Sequence, residues 1–225
     1  MINLVNVSRN FRTRNRAHVL LDRINLRIEA GERVGILAAS GSGKTTLARI
    51  IAGLETPDQG VVTSDETISW PLGYSSAFHP HLTGAENVRL IAGLHFHDPV
   101  ELALQVADFA ELGDLFHQPI GLISPGERAR LAMALSLSVR FGFYLADEFS
   151  SVGTASFQDK VEARLEDYLR VSGLVLLTRH SHTIARLASR FFVLVNARLI
   201  ECQTAAQAAD ILALAKEEEA QNAAA

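Results

Sequence analysis

The sequence predicts an α/β protein: a mostly parallel sheet with helices packed on it, an antiparallel β region at the N-terminus, and an inserted helical segment. Three observations carry this. The apolar run "ERVGILA" leads directly into "ASGSGKTT" and then into the helically spaced "TTLARIIAGL". The runs "FGFYLADE" and "GLVLLTRH" are continuously apolar and end in polar residues, as parallel strands covered on both faces do. Between the first strand and these two, the chain has helical periodicity from about Thr83 to Arg140.

At 225 residues and 48% hydrophobic content, the chain is long enough for one α/β domain with a sizeable core and an inserted subdomain. The formal net charge of -4 gives no global pull toward nucleic acid or anionic lipid. The single cysteine, Cys202, has no internal disulfide partner, which fits a reducing compartment. The N-terminus alternates polar and apolar residues and does not read as a signal peptide. No apolar run approaches the roughly 20 residues of a membrane span, so work at a membrane would require a partner.

In chain order, "INLVNV" and "VLLDRINLRIE" read as strands around a turn rich in arginine (Arg9, Arg12, Arg14, Arg16), taken as a solvated hairpin end rather than a nucleic-acid surface. The helix after the glycine-rich loop ends at Gly53, "TPDQG" is a turn, and short strands run to about Tyr74. "AENVRLIAGL", "PVELALQVADFAELG" and "ERARLAMALSLSV" read as helices, and "RFFVLVNARLI" as a hairpin turning at Asn196-Ala197. The expected organisation is a core of residues 1–82 and 140–202, a helical subdomain of residues 83–139, and a tail of residues 203–225, a helix fraying into "EEEAQNAAA".

The glycine-rich loop carries the first chemistry. The phosphate-binding pattern is a glycine, four residues, then Gly-Lys-[Ser/Thr]. Gly43, Lys44 and Thr45 close it, but Ala38 stands at its first glycine. Such a loop works through its backbone: successive N–H groups of Ser40, Gly41, Ser42, Gly43, Lys44 and Thr45 curl around a phosphate, and the following helix adds its positive end. Gly41 and Gly43 occupy positions where a side chain would obstruct the curl. Lys44 supplies a point charge and Thr45 a hydroxyl for Mg²⁺. Lys160 and Lys216, the other two lysines, are far along the sequence, so Lys44 reads as the only lysine near the loop. Ala38 sits at the strand exit and is a mild change if its φ is negative.

Two further motifs follow. Asp147 ends an apolar strand and Glu148 comes next; behind a phosphate loop, this pair suits a Mg²⁺ water shell and a base or positioner for water. His180 ends the next strand. "ISPGE" has the grammar of a helix start, with Ser124 as N-cap, Pro125 at the first helical position and Glu127 three after the cap. It also offers Ser124 and the Gly126 amide to a phosphate.

The ordered set of phosphate loop, helical insert, Ser-x-Gly-Glu helix start, Asp-Glu and His resembles the nucleotide-binding subunit of ABC transporters, over about Ile2 to Glu201. More narrowly, "SWPLGY", "LTGAENVRLIA", "VADFAELG" and "RARLAMALSLSVRFGFYLADE" look like the ATP-binding subunits that export capsular polysaccharide; O-antigen and teichoic acid exporters share the general plan. The resemblance implies a RecA-like P-loop NTPase core, ATP and Mg²⁺ as ligands, and a cytoplasmic ATPase on the inner face of the membrane. It further implies a separate integral permease and a head-to-tail homodimer with ATP sandwiched between one subunit's loop and the other's Ser124 helix. By the same resemblance Phe11 stacks on adenine, and Ser40, Gly41, Ser42, Gly43, Lys44, Thr45 and Thr46 bind phosphate and Mg²⁺. Ser124, Gly126 and Glu127 act on the neighbour's ATP, Asp147 supports Mg²⁺, Glu148 polarises water, and His180 senses the γ-phosphate.

Four positions depart from the family pattern: Ala38 for glycine, Pro125 for a residue commonly glycine or serine, His79 for the glutamine that contacts Mg²⁺, and Thr154 for an aspartate. Two readings therefore stand side by side: an export ATPase, favoured by intact Lys44, Glu148 and His180, and a nucleotide-binding regulatory module with little turnover, favoured by His79 and Thr154. The pairs His79/His81 and His95/His97 lack the further spacing of a metal site.

Overall fold

A computed structural model describes residues 1–13, 16–95, 97–148 and 152–224; side chains are described except at 12–17, 219–220 and 222–224. Two compact units emerge. The first comprises residues 1–71, 141–149 and 169–225, and the second residues 72–140 and 150–168. The expected helical segment 83–139 falls inside the second unit, which also takes in residues 72–82 and 150–168.

The first unit holds two sheets. β1 (Ile2–Thr13), β2 (Arg16–Ile28) and β4 (Gln59–Ser64) form an antiparallel sheet in the order β2-β1-β4. Register shifts along β1 and β2 accompany the left-handed Asn6 and Arg23, at φ 51° and 49°. The larger sheet combines β3 (Arg33–Ala38), β5 (Ile68–Pro71), β6 (Phe143–Asp147), β7 (Gly173–Thr178), β8 (Arg190–Val195) and β9 (Arg198–Cys202). Its order is β5-β6-β7-β3-β8-β9, parallel throughout except for β9, which returns antiparallel through the expected hairpin. That turn places both Asn196 and Ala197 at positive φ, 49° and 61°. The geometry matches the twist of a two-residue hairpin but strains an alanine, which has no polar side chain to compensate.

The central strands are continuously buried, as their apolar runs require: Ile36, Leu145, Leu177 and Leu194 are essentially inaccessible. α1 (Lys44–Ile51) buries Leu47, Ala48, Ile50 and Ile51 in the same core. Further along, α6 (Ser181–Leu187) crosses β3 so closely that a Cβ on Gly35 would lie 2.8 Å from Ile184 Cβ. The tail departs from expectation: α7 (Ala205–Ala224) is helical through the residues read as fraying, seated by buried Ala205, Ala208 and Leu212. Arg9 also departs. It is bound to Glu55 and Asp58 at 2.9 and 2.6 Å, because the turn before β4 folds back beside β1. Of the other arginines in that turn, Arg14 and the side chains of Arg12 and Arg16 lie outside the described residues.

In the second unit, α2 (Gly84–Leu94), α3 (Pro99–Ala110), α4 (Pro125–Ser136) and α5 (Ala155–Tyr168) each start on a defined polar residue. Thr83 with Glu86, and Ser124 with Glu127, form complete capping boxes, and Asp98 accepts from the amides of Val100 and Glu101. Thr154 caps α5 by accepting from the Phe157 amide at 3.3 Å. Arg130 of α4 donates to the carbonyls of Ala110 and Glu111 and lies over the Phe157 ring, which ties α4 to α3 and α5.

Candidate functional site

Within the first unit, the carboxyl ends of β3, β6 and β7 bring the predicted residues together. β3 ends in Ala38, which pairs with Leu194, is fully buried and is not among the residues of positive φ. A β-carbon is therefore accommodated where the pattern has its first glycine. Gly41 and Gly43 adopt φ of +79° and +98°. An added Cβ on Gly41 would meet nothing within 4 Å, so backbone conformation, not lack of room within the chain, requires glycine there. At Gly43 both apply, because the Leu20 carbonyl oxygen would lie 3.1 Å from a Cβ. Ser42 Oγ closes the turn by donating to Ala39 O at 2.8 Å.

Lys44 starts α1 and is 6% exposed. Its Nζ donates to the carbonyl oxygens of Ala39 and Ala38, at 2.7 and 3.3 Å, and lies 3.3 Å from Glu148 Oε1. A buried ammonium needs such partners, since desolvation without them costs several kcal/mol. Thr45 and Ser40 are exposed and Thr46 is half-buried on the same loop and first helical turn.

Glu148 follows β6 in the left-handed region, φ 52°, with its amide donating to Leu177 O at 2.8 Å. That kink turns its carboxylate off the strand. Oε2 accepts from Thr178 Oγ1 at 3.3 Å, and the same hydroxyl accepts from the His180 amide at 3.2 Å. Thr178 thus links the two residues that the sequence singled out separately, and sequence reasoning missed it. The only signal was a threonine ending an otherwise apolar strand. His180 is exposed at the start of α6, and its Nε2 accepts from Arg179 Nε at 3.2 Å. Asp147 Oδ1 is buried with no hydrogen-bond partner. An orphaned carboxylate oxygen at the end of β6 fits a cation or its water shell, because a buried acceptor left unpaired is otherwise unfavourable.

A cleft of about 1240 Å³ opens beside the loop. Ala39, Ser40, Gly41 and Ser42 form one end; the N-terminal sheet adds Ser8, Asn10, His18 and Leu20; the β8–β9 turn adds Asn196 and Ala197; α7 adds Leu212, Ala215 and Lys216. α7 folds back so that Lys216 lines the same cleft as the loop, a juxtaposition that its distance along the sequence does not suggest. Phe11 is 58% exposed and does not line it. It does pair directly with His18, and residues opposite one another in an antiparallel pair share a face.

Ser124, Gly126, Glu127 and His79 belong to the second unit. Ser124 and Gly126 are exposed at the start of α4. The Glu127 carboxylate accepts from the Ser124 amide at 2.7 Å, and the Ser124 hydroxyl and amide together hold it below the usual glutamate range. His79 is exposed, its amide and carbonyl tied to the buried Asn87 side chain, its ring centroid 5.7 Å from that of His81.

Comparison with known proteins finds the ABC transporter family model matching residues 21–151. A capsule polysaccharide export ATP-binding protein of Neisseria meningitidis, CtrD, is 39% identical over 81% of this chain and 84% of its own length. The ATP-binding protein BexA of Haemophilus influenzae is 37% identical over 87% of this chain and 90% of its own. Among solved structures, the ATP-binding cassette MJ0796, a dimer in a post-hydrolysis state with ADP and Pi, superposes with a TM-score of 0.75 at 24% identity, over 90% of this chain and 98% of its own.

Proposed function

The chain belongs to the ABC transporter family, and from that membership we infer that it is the ATP-binding and ATP-hydrolysing subunit of a capsule-type polysaccharide exporter. It acts as a dimer beneath a separate membrane permease; among the described residues no helix is long and apolar enough to cross a membrane. ATP-driven closure of two subunits, each loop facing the other's Ser124 helix, couples turnover to export.

The residues divide the work as follows. Loop amides from Ser40 to Thr46 and the Lys44 ammonium hold the phosphates. Thr45 and Asp147 hold Mg²⁺, for which the unpartnered Asp147 Oδ1 is suited; when bound, the ion neutralises charge on the phosphate oxygens. Glu148 orients the attacking water and takes its proton. His180 contacts the γ-phosphate, and Phe11 stacks on adenine. His79 holds the sequence position of the family's glutamine. Ser124, Gly126 and Glu127 serve the partner subunit's nucleotide.

One observation favours hydrolysis over a purely regulatory module. Glu148 is held in a left-handed conformation with its carboxylate between Lys44 and Thr178, 3.3 Å from each. Strain of this kind persists where the surroundings impose it, and it gathers at working sites. The test is genetic and chemical together. Deleting the chain's gene should leave polymer inside the cell and remove it from the surface, with rescue by the wild-type gene and not by Glu148→Gln. Normal surface polymer in the deletion strain would refute the export role.

A further inference from the structure

The cleft beside the phosphate loop exceeds the roughly 300–1,000 Å³ usual for a small-molecule site. Part of its lining, Leu212, Ala215 and Lys216, comes from α7, which no nucleotide-site motif in the sequence includes. The helix is firmly seated there: Ala208 is inaccessible and Leu212 nearly so, while Ala215 is half-buried. Lys216, four residues beyond Leu212, stands exposed at the rim of that buried stripe.

The electrostatics of the lining point to an anion. Three cationic side chains, Arg23, Arg198 and Lys216, face one carboxylate, Asp22. Asp22 already bonds both arginines, at 3.2 and 3.4 Å. Lys216 is different. Of the chain's three lysines, Lys44 is paired with Glu148 and Lys160 with Glu111; Lys216 has no hydrogen bond or ion pair among the described residues. An uncommitted ammonium on a flexible stem, in the same cleft as the phosphate loop, can engage a polyanion without breaking any contact.

We propose that α7 is a wall of the nucleotide site and that Lys216 lends its charge to the phosphate chain of the bound nucleotide. The proposal rests on the nucleotide-binding reading above and adds a residue to it. The C-terminal helix thereby becomes part of the ATP site.

The test is ATP titration by calorimetry, without Mg²⁺ to prevent turnover, on the full chain as wild type, Lys216→Ala, Lys216→Arg and Lys44→Ala. Lys216 is exposed, so its substitution should leave the melting temperature of the nucleotide-free protein unchanged. Lys216→Ala should weaken ATP binding about two- to fivefold, the range of a solvent-exposed charge contact. Lys216→Arg should restore it, and the gap should narrow as salt rises from about 0.05 to 0.5 M, where screening shortens to a few ångströms. If Lys216→Ala binds as wild type while Lys44→Ala does not bind, the proposal is wrong and the nucleotide site stands. If Lys216→Arg is as weak as Lys216→Ala and salt leaves the gap unchanged, packing of α7 accounts for the effect and the charge contact is overturned. If Lys44→Ala binds as wild type, the underlying site assignment fails and the proposal falls with it.

Discussion

Thr178→Val removes one hydroxyl and keeps the β-branched shape. Thr178 is buried at the end of β7, donating to Glu148 Oε2 and accepting from the His180 amide. A hydrogen bond to a charged group contributes about 1.5–3 kcal/mol and a neutral one about 1 kcal/mol. Both are long here, at 3.3 and 3.2 Å. Glu148 and His180 are also accessible enough for water to replace part of each bond, and the new methyl is buried. A net loss of about 1 kcal/mol remains, or a fall in melting temperature of about 2–4 °C for a chain of this size. The larger effect is on turnover. Without Thr178, the Glu148 carboxylate keeps only the Lys44 side of its support, so kcat should fall about tenfold, equivalent to about 1.4 kcal/mol of lost positioning. The ATP KM should stay near wild type, because the phosphate loop is untouched. Thr178→Ser, which keeps the hydroxyl, should recover most of the rate. Steady-state phosphate release with Mg-ATP reads all three quantities. A kcat within twofold of wild type for Thr178→Val, or a Thr178→Ser variant as slow as the valine, would refute the positioning role.

Glu148→Gln keeps the shape and the contact with Thr178 but cannot take a proton; turnover should drop about 10²–10⁴-fold, and size exclusion in Mg-ATP should show an accumulated dimer, whereas a rapidly hydrolysing or strictly monomeric variant would contradict the assignment. Ala38→Gly restores the family's glycine at a position that does not need it, so ATP affinity should not change and stability should fall by about 0.5–1 kcal/mol; a large gain in affinity would show that Ala38 impairs the loop. The Glu127 carboxylate is held below its ordinary range by Ser124, so its contribution to stability is complete above the unfolded glutamate value near 4.3 and is lost as pH falls through the lower folded-state value. The melting-temperature advantage of wild type over Glu127→Gln should therefore be constant at neutral pH and shrink on acidification; a gap that does not change from neutral pH into acid would count against the capping geometry.

Local chemistry was readable in the sequence. The phosphate loop, the Ser124–Glu127 helix start, and the two apolar strands ending at Asp147 and Thr178 depend on neighbours within a few residues, and the structure places each as its pattern requires. The tolerance of Ala38 was likewise conditional on a backbone angle that the structure supplies. What could not be read depends on chain return or on context. Lys216 is remote from the loop in sequence, and only the packing of α7 under β8 and β9 brings it to the cleft. Arg9 reads as solvated until the turn before β4 supplies Glu55 and Asp58. The link through Thr178 is one hydroxyl whose role exists only once Glu148 is turned left-handed. α5 was signalled by Phe157, Val161, Leu165 and Tyr168 at nearly regular helical spacing, all buried, but its narrow apolar stripe lies among charged residues and gives a weak pattern. The left-handed backbone angle at Gly41, a second reason for glycine beside the expected curl around a phosphate, also needed the structure.

The central claim is that the Lys44 loop and Glu148 form an ATP-hydrolysing site. Phosphate release from Mg-ATP by the purified chain, measured beside Lys44→Ala at equal concentration, tests it most directly. Removal of the buried ammonium leaves the phosphates without their point charge and Glu148 without its partner. The account predicts saturable release by the wild type and release at background level by Lys44→Ala, while the variant's melting temperature shows that it is folded. Equal rates for the two proteins would contradict it.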